Sequence, residues 1–276
     1  MQQPFEHQTK TTEFILTKHK CLITSDPGTG KTRSVIDAYS ELPPNKKRML
    51  VVAPLSILQA SWGDDIEKFQ PDLKYSVAYA KNRKQAFQED VPVVLTNHDA
   101  VKWLDKNPQF LKDFNTICID EFTAFKNKDA QRSKAIAKLI KHFDYRIAMS
   151  GTPNSNSIVD IWHPAYLIDD GERLGRRFYS FRNAVCTSRF NGFANEWIDR
   201  DDAEEIVASA LLDINIRYSL EECIDMPEQT VSTLTTQLPR KVMEQYSDMV
   251  NDSVLHTDKA TINAVHAGAK VKKLLQ

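Results

Sequence analysis

The sequence predicts an α/β fold: a mostly parallel sheet covered by helices on both faces, with a helical appendage toward the C-terminal part. Three observations carry that prediction. Short β-branched runs alternate with helix-like stretches, the strand runs are apolar at successive positions, and polar clusters fall at the carboxyl ends of strands. A strand with one wet face alternates apolar and polar residues; a strand covered on both faces does not. In open parallel sheets, ligands gather at the carboxyl ends of the strands.

In chain order, strand-like runs occupy 21–24, 49–53, 75–79, 91–96, 116–120 and 145–150. Leu50-Val51-Val52, Val93-Val94-Leu95 and Ile117-Cys118-Ile119 are the ones whose composition fits burial on both sides. Helical patterns lie between them at 31–39, 56–69 and 130–141. Thr29 just before the first and Asp129 at the head of the third supply start signals. After Ser150 the texture changes. Residues 160–200 are dense in aromatics and arginines, interrupted by Asp169-Asp170-Gly171 and Asn191-Gly192. A last short strand is expected at 214–219, followed by Met226-Pro227, an alternating segment at 230–238, a helix over 239–251 and a helical tail over 260–276. The expected division is 1–159 as the core, 160–213 as a helical, aromatic and basic appendage, and 214–276 as last strand, exit segment and C-terminal helices.

Composition narrows the class. The chain has 276 residues, 41% of them hydrophobic and 26% charged, enough for one large or two small domains with a real core. A net charge of −1 provides no global attraction to nucleic acid, so any such binding must come from local patches. The four cysteines lie far apart without a C-x-x-C, which suits reduced thiols better than disulfides or zinc. The first ten residues are polar and carry Glu6, unlike a signal peptide, and no apolar run approaches the roughly 20 residues of a membrane span. The expectation is a soluble protein of the cytoplasm.

The chemistry concentrates in three clusters. Ser25-Asp26-Pro27-Gly28-Thr29-Gly30-Lys31-Thr32 directly follows the apolar run Cys21-Leu22-Ile23. Gly28 and Gly30 permit a tight turn that aims successive N–H groups inward, with Pro27 and Thr29 completing the loop. Lys31 supplies positive charge for β/γ-phosphates, the Thr32 hydroxyl is a ligand for Mg²⁺, and the following helix adds its positive dipole end. Ser25 stands where the strict pattern has Gly, and a small residue fits that turn. The second cluster places Asp120-Glu121 at the carboxyl end of an apolar strand. Such a pair lets the first carboxylate hold the metal shell while the second orients and deprotonates the attacking water. The third, Met149-Ser150-Gly151-Thr152-Pro153, again ends a strand. Its hydroxyls and flexible Gly151 suit sensing of a γ-phosphate, although as an isolated string it is only a turn.

Taken in this order, the clusters resemble the first motor lobe of superfamily two helicases, most closely the Swi/Snf-type double-stranded DNA translocases. The resemblance runs through Gln8 to about Trp162 and more thinly beyond. Phe5-Glu6-His7-Gln8 is similar to the upstream adenine-reading motif, with Gln8 as the base contact. Val51 to Leu58 followed by Trp62 looks like the family's next motif, and Leu95-Thr96-Asn97-His98-Asp99 sits where a strand-tracking motif belongs. The box beginning Asp120-Glu121 departs from the family pattern, with Phe122 for a small residue and Thr123 for the usual His. Ser150, Gly151 and Thr152, with Asn156 and Trp162 beyond, are similar to the coupling motif. Ile216-Arg217 and Met226-Pro227-Glu228 resemble the segment that exits the lobe.

The resemblance implies a RecA-like lobe that binds ATP and Mg²⁺, and a second lobe, outside this chain, that supplies an arginine finger. It also implies sequence-independent phosphate contacts to double-stranded DNA from Pro54 and Ser56 (with Leu55 between them), and from Thr96, Asn97 and His98. The arginines Arg173, Arg176, Arg177, Arg182 and Arg189 have two readings: electrostatic grip on DNA, or a solvated face paired with Asp169, Asp170 and Glu172. Trp62, Trp103 and Trp162 are read as core or helix-packing residues. Two rival functions remain: another phosphate-loop enzyme such as a GTPase or small-molecule kinase, and a nucleotide-dependent binding module without motor activity. The string Asn127-Lys128-Asp129-Ala130 approaches a guanine-reading motif, but the required Asp position holds Ala130.

Overall fold

The computed structural model describes residues 3–42, 48–154, 156–190, 192 and 195–223, with scattered residues beyond (232, 235, 239–240, 242–244, 246–247, 254–256 and 261–263). Two compact units are present, Met1–Asp225 and Met226–Gln276. The first opens with α1 (Glu6–Lys18), β1 (Lys20–Ile23), α2 (Lys31–Glu41) and β2 (Arg48–Ala53). It continues through α3 (Asp64–Phe69), β3 (Tyr75–Ala78), α4 (Arg83–Gln88), β4 (Val93–Asn97) and α5 (Ala100–Lys106). Then come β5 (Phe114–Asp120), α6 (Gln131–Leu139), β6 (Tyr145–Met149), α7 (Trp162–Asp169) and α8 (Phe178–Val185). The unit closes with β7 (Cys186–Phe190), β8 (Asn195–Asp199), α9 (Ala203–Leu211), β9 (Asn215–Ile216) and α10 (Leu220–Cys223).

Seven strands form one sheet in the order β3-β4-β2-β5-β6-β1-β9. Every pairing in it is parallel. Successive residues of one strand face different layers, as helices on both sides require. Cys21 and Ile23 join a cluster with Ile15 of α1, Val35 and Ile36 of α2, and Ile66 of α3. Leu22 between them joins Val101 of α5, Ile136 of α6 and Ile168 of α7 on the other side. The same split recurs at Met49, Val51 and Ala53 against Leu50 and Val52. Strands without an alternating pattern are thereby explained residue by residue. All four cysteines are unpaired, with Cys21, Cys118 and Cys186 buried.

Several elements differ from expectation. Thr29 does not cap α2: the cap is Gly30, while the Thr29 hydroxyl donates to Asp26 O at 2.9 Å. Asp129 does not cap α6 either; the cap is Ala130, and the Asp129 carboxylate accepts from Lys128. The stretch expected as one helix over 56–69 is three windings in series: a 3₁₀ turn (Leu55–Ile57), a π segment (Leu58–Gly63) and α3. Within 160–213, the helices α7, α8 and α9 are accompanied by an antiparallel hairpin, β7–β8, that the helical reading did not include. Trp162, Phe181, Val185 and Val207 of this stretch share the cluster under the sheet.

The last strand of the sheet is shorter than expected, spanning Asn215–Ile216. In the second unit, Val254–His256 (β10) and Thr261–Asn263 (β11) pair as antiparallel strands, where 261–263 was expected to be helical. Described residues between 240 and 247 are helical, in keeping with the helix expected from 239. The alternating segment at 230–238 and the tail beyond 263 lie largely or wholly outside the described residues.

Candidate nucleotide-binding site

The chain leaves β1 into the glycine-rich loop and re-enters regular structure at Lys31. Gly28 (φ +85°) and Gly30 (φ +78°) both adopt the left-handed region, which side chains with a Cβ seldom tolerate. Gly30 has a second constraint, because a Cβ there would collide with the Gln8 amide. The cap of α2 therefore has no side-chain acceptor, and the first turn holds no acidic residue. The positive end of the helix is offered to an anion. Lys31 Nζ donates to Ser25 O at 2.8 Å and Asp26 O at 2.9 Å, which folds its ammonium over the loop. Burial lowers the Lys31 pKa, opposed by the negative charges of Asp120, Glu121 and Asp26.

The sheet register puts the acidic pair at the same end as the loop, Ile23 lying beside Met149 and Met149 beside Asp120. Asp120, 5% exposed, ends β5, and its Oδ2 accepts from the Trp62 indole Nε1–H at 2.9 Å. Burial pushes its pKa up to about 6; the Trp62 hydrogen bond opposes that rise and the Glu121 charge adds to it. Glu121 then takes φ +51°, a left-handed conformation unusual for a non-glycine residue, and turns the chain sharply out of the strand. The His98 ring donates from Nε2 to the Asp120 carbonyl at 2.7 Å and packs edge-on against Phe125. Its pKa is lowered, first by burial, so the neutral ring with the proton on Nε2 is favoured.

Between β1 and β5 lies β6, which delivers the third cluster. Ser150, fully buried, donates from Oγ to Glu121 Oε2 at 2.9 Å and accepts from the Thr152 N–H at 3.2 Å. Gly151 abuts the phosphate loop so closely that a Cβ would lie 2.7 Å from Pro27 Cγ. The three sequence clusters thus touch one another. Thr32, in the first turn of α2, is half-buried at the same end.

At the upstream end, Gln8 sits behind the loop. Its Oε1 accepts from the Phe5 N–H at 3.0 Å, and its Nε2 donates to Thr29 O at 3.3 Å. His7 Nε2 also contacts Thr29 O, at 2.8 Å. A cavity of about 420 Å³ beside them is lined by Phe5, Glu6, His7, Lys10, Tyr218, Glu222 and Cys223. The Phe5 and His7 rings stack at 5.8 Å between centroids. Gln8 therefore braces the loop in this structure, and aromatic side chains provide the walls of the cavity.

The DNA-tracking candidates fall at the carboxyl ends of β2 and β4, with differing availability. Ser56 and Leu55 are exposed and Pro54 is half-buried. Thr96 is fully buried, with its hydroxyl donating to Ala78 O at 3.0 Å, so that hydroxyl is committed to the sheet. Asn97 Oδ1 accepts from Arg83 at 3.1 Å, and His98 is engaged with Asp120 as above. Among the arginines, Arg173 forms the expected kind of ion pair, bonding Asp213 at 2.8 and 2.7 Å with Glu172 at 3.2 Å. Arg182 instead stacks on Trp197 with its guanidinium carbon 3.5 Å from the ring centroid.

Two contributors escaped sequence reasoning. One is Trp62, read as core, which is fully buried but also holds Asp120. The other is the segment after β9. Tyr218 N–H donates to Ser25 Oγ at 3.0 Å, Asp26 N–H donates to Tyr218 O at 2.9 Å, and Leu220 N–H donates to Asp26 Oδ2 at 3.1 Å. The Ser25 hydroxyl, in place of the usual Gly, is the acceptor that straps this segment to the loop. No local signal links residues some 190 positions apart.

A parallel sheet with a glycine-rich loop after one strand, an acidic pair after another and a third strand between them defines a RecA-like phosphate-loop lobe. Comparison with known proteins agrees. The SNF2-related domain model matches residues 7–275, and the chain belongs to that family. Putative protein p41 of Acyrthosiphon pisum secondary endosymbiont phage 1 is 29% identical over 265 residues, covering 90% of this chain and 57% of that protein. The putative ATP-dependent helicase/translocase YwqA of Bacillus subtilis is 26% identical over 259 residues, covering 87% of this chain and 26% of that protein. The Sulfolobus solfataricus SWI2/SNF2 ATPase core in complex with dsDNA shares the fold at a TM-score of 0.66 and 23% identity, over 99% of this chain and 57% of that one. The chain thus spans little more than half of the longer proteins it matches, or less.

Proposed function

We propose that this chain is the ATP-binding lobe of a Swi/Snf-like translocase that couples ATP hydrolysis to movement on double-stranded DNA. The observation that carries the reading is the meeting of Lys31, Asp120, Glu121 and Ser150 at one end of the sheet. Family membership and helicase-named relatives support it. In this reading the loop N–H groups and Lys31 hold the β/γ-phosphates, and Glu121, oriented by Ser150, positions and deprotonates the attacking water. The aromatic cavity at Phe5, His7 and Tyr218 receives the base. A second lobe outside residues 1–276 supplies the arginine that completes the charge balance, worth about 10³–10⁵ in rate.

The donor set fits Mg²⁺. Asp120 and Thr32 offer hard oxygens, and among the described residues no group of three His, Cys, Asp or Glu is arranged to hold a metal unaided. A site with so few protein ligands suits an ion that takes its remaining ligands from phosphates and water. When bound, the ion neutralises charge on the phosphates; Thr32 and Asp120 hold it at the loop. Among the described residues no helix is long and apolar enough to cross a membrane.

DNA enters this reading through the strand-end segments at Pro54–Ser56 and Asn97, and the dsDNA complex of the structural neighbour supports that part. The test is calorimetric titration of ATP and GTP in Mg²⁺, with Lys31→Ala and Glu121→Gln alongside. We expect ATP to be preferred, Lys31→Ala to weaken it about 10–100-fold through loss of a charge-assisted contact, and Glu121→Gln to retain binding. Preference for GTP would defeat the assignment. Turnover by residues 1–276 alone should fall well below the roughly 1–100 s⁻¹ of complete phosphoryl-transfer enzymes, and a rate within that range would refute the need for a second lobe.

A further inference from the structure

Trp62 fills a buried position that any large apolar side chain could fill, yet it is the one residue there with a hydrogen-bond donor in its ring. Its neighbours in the same layer include Leu58, Ile66, Val51 and Cys118. A fully buried indole N–H needs an acceptor, since leaving it unpaired costs on the order of 1–3 kcal/mol. The acceptor it finds is Asp120 Oδ2, at 2.9 Å and 58 residues away in sequence.

The backbone that presents Trp62 is equally unusual. Leu58–Gly63 is wound as a π segment, between a 3₁₀ turn and α3. A π turn holds one more residue than an α turn and so changes the direction in which later side chains point; such turns cluster at functional sites. Here the wide turn contains the residue that reaches Asp120. A second anchor arrives from the end of β4, where His98 Nε2 donates to the Asp120 backbone carbonyl. Asp120 is thus restrained at its side chain and its backbone by segments following β2 and β4.

We infer that Trp62 is a positioning residue for Asp120, its indole N–H pinning Oδ2 so that the remaining acceptor positions of the carboxylate face the metal and phosphates in one fixed orientation. A carboxylate offers about four acceptor positions, so the Trp62 bond leaves room for a metal contact. The inference rests on the proposed reading of Asp120 as a metal ligand. It also gives the motif around Pro54–Ser56 a role in the nucleotide site: the segment proposed to track phosphates leads, through the 3₁₀ turn and the π segment, into the residue that orients the metal carboxylate.

The experiment is a Mg²⁺ titration of fluorescent ATP-analogue binding by the full chain, comparing wild type with Trp62→Phe, Leu58→Ala and Asp120→Asn. Trp62→Phe keeps the packing and removes the donor. We expect its Mg²⁺ half-saturation to rise about 10-fold or more, the range for losing a group that orients a metal ligand, with analogue affinity in chelator changed less than about twofold. Leu58→Ala, which removes packing from the same segment, should lower the melting temperature and leave the Mg²⁺ requirement alone. In an Asp120→Asn background, Trp62→Phe should have no further effect on Mg²⁺ dependence. Equal Mg²⁺ requirements for wild type and Trp62→Phe would overturn the inference. Wild type that binds the analogue without any Mg²⁺ dependence would instead overturn the metal site itself. A measurement independent of variant folding is the Trp62 indole N–H resonance of the wild type: it should shift when Mg²⁺ is added to the nucleotide complex, and a fixed resonance would refute the contact's role.

Discussion

Asp120→Asn should make the folded chain more stable at neutral pH while removing its metal chemistry. Burial raises the Asp120 pKa from its ordinary 3.8 to about 6. A carboxyl with a raised folded-state pKa binds its proton more tightly in the native state than in the unfolded one. Its stabilising effect is therefore complete below pH 3.8 and is lost as pH rises to about 6. At about 1.36 kcal/mol per pH unit, that interval corresponds to a penalty of about 3 kcal/mol at pH 7. Asn resembles the protonated acid, can still accept from Trp62 and does not titrate. Denaturant unfolding without nucleotide or Mg²⁺ should give Asp120→Asn an advantage of about 3 kcal/mol at pH 7.5, of which about 1.4 kcal/mol accrues above pH 5. At about 2–4 °C per kcal/mol for a chain of this size, the melting temperature rises by about 6–12 °C. An advantage that is equal at pH 5 and pH 7.5, or a less stable Asp120→Asn at pH 7.5, would refute the reasoning.

Other perturbations address the remaining contacts. Gly151→Ala places a Cβ 2.7 Å from Pro27 Cγ, so it should displace the phosphate loop and weaken ATP binding by at least about tenfold by titration calorimetry, about 1.4 kcal/mol. Ser25→Gly restores the commoner loop residue but deletes the acceptor for Tyr218 N–H; hydrogen exchange at Tyr218 and Leu220 should accelerate by one to two orders of magnitude, for a loss of about 1–3 kcal/mol. His98 has a lowered pKa, so its contribution to stability is complete above its ordinary value of 6.5 and is lost as pH falls below it. His98→Phe in the Asp120→Asn background, which removes the opposing slope, should flatten that acid limb in pH-dependent unfolding and cost about 1–3 kcal/mol at pH 7.5.

Much of the sheet was legible because apolar runs at 49–53, 93–95 and 117–119 are continuous, and only strands buried on both faces read that way. The three polar clusters were legible because each is a contiguous string at a strand end. Contacts across the fold were not. Trp62 reaching Asp120 and Tyr218 reaching Ser25 are set by sheet order and by a π turn, neither of which leaves a periodic trace. The hairpin β7–β8 was hidden for another reason: nine of the ten residues in its strands are exposed or half-exposed, with no buried alternate face, so no period of two marks them. In the sequence, Asn191-Gly192 is visible only as a break between patterns. The cap expected at Thr29 failed because Gly30 serves the phosphate loop, and a side-chain cap there would occupy the anion's place.

The position of β6 between β1 and β5 sets a gauge. Two strand spacings separate the loop strand from the acidic strand by about 9.5 Å, and ladders of backbone hydrogen bonds on both sides of β6 keep that width constant. The jaws of the site cannot narrow without tearing the sheet. The hydroxyl of Ser150 stands at the midpoint of that gap, bonded both to Glu121 and to the Thr152 N–H. Rotation about one side-chain bond there can exchange partners while every strand stays still. The lobe is thus a rigid frame with one small adjustable stop, and displacement on a larger scale must begin in the chain that follows Ser150.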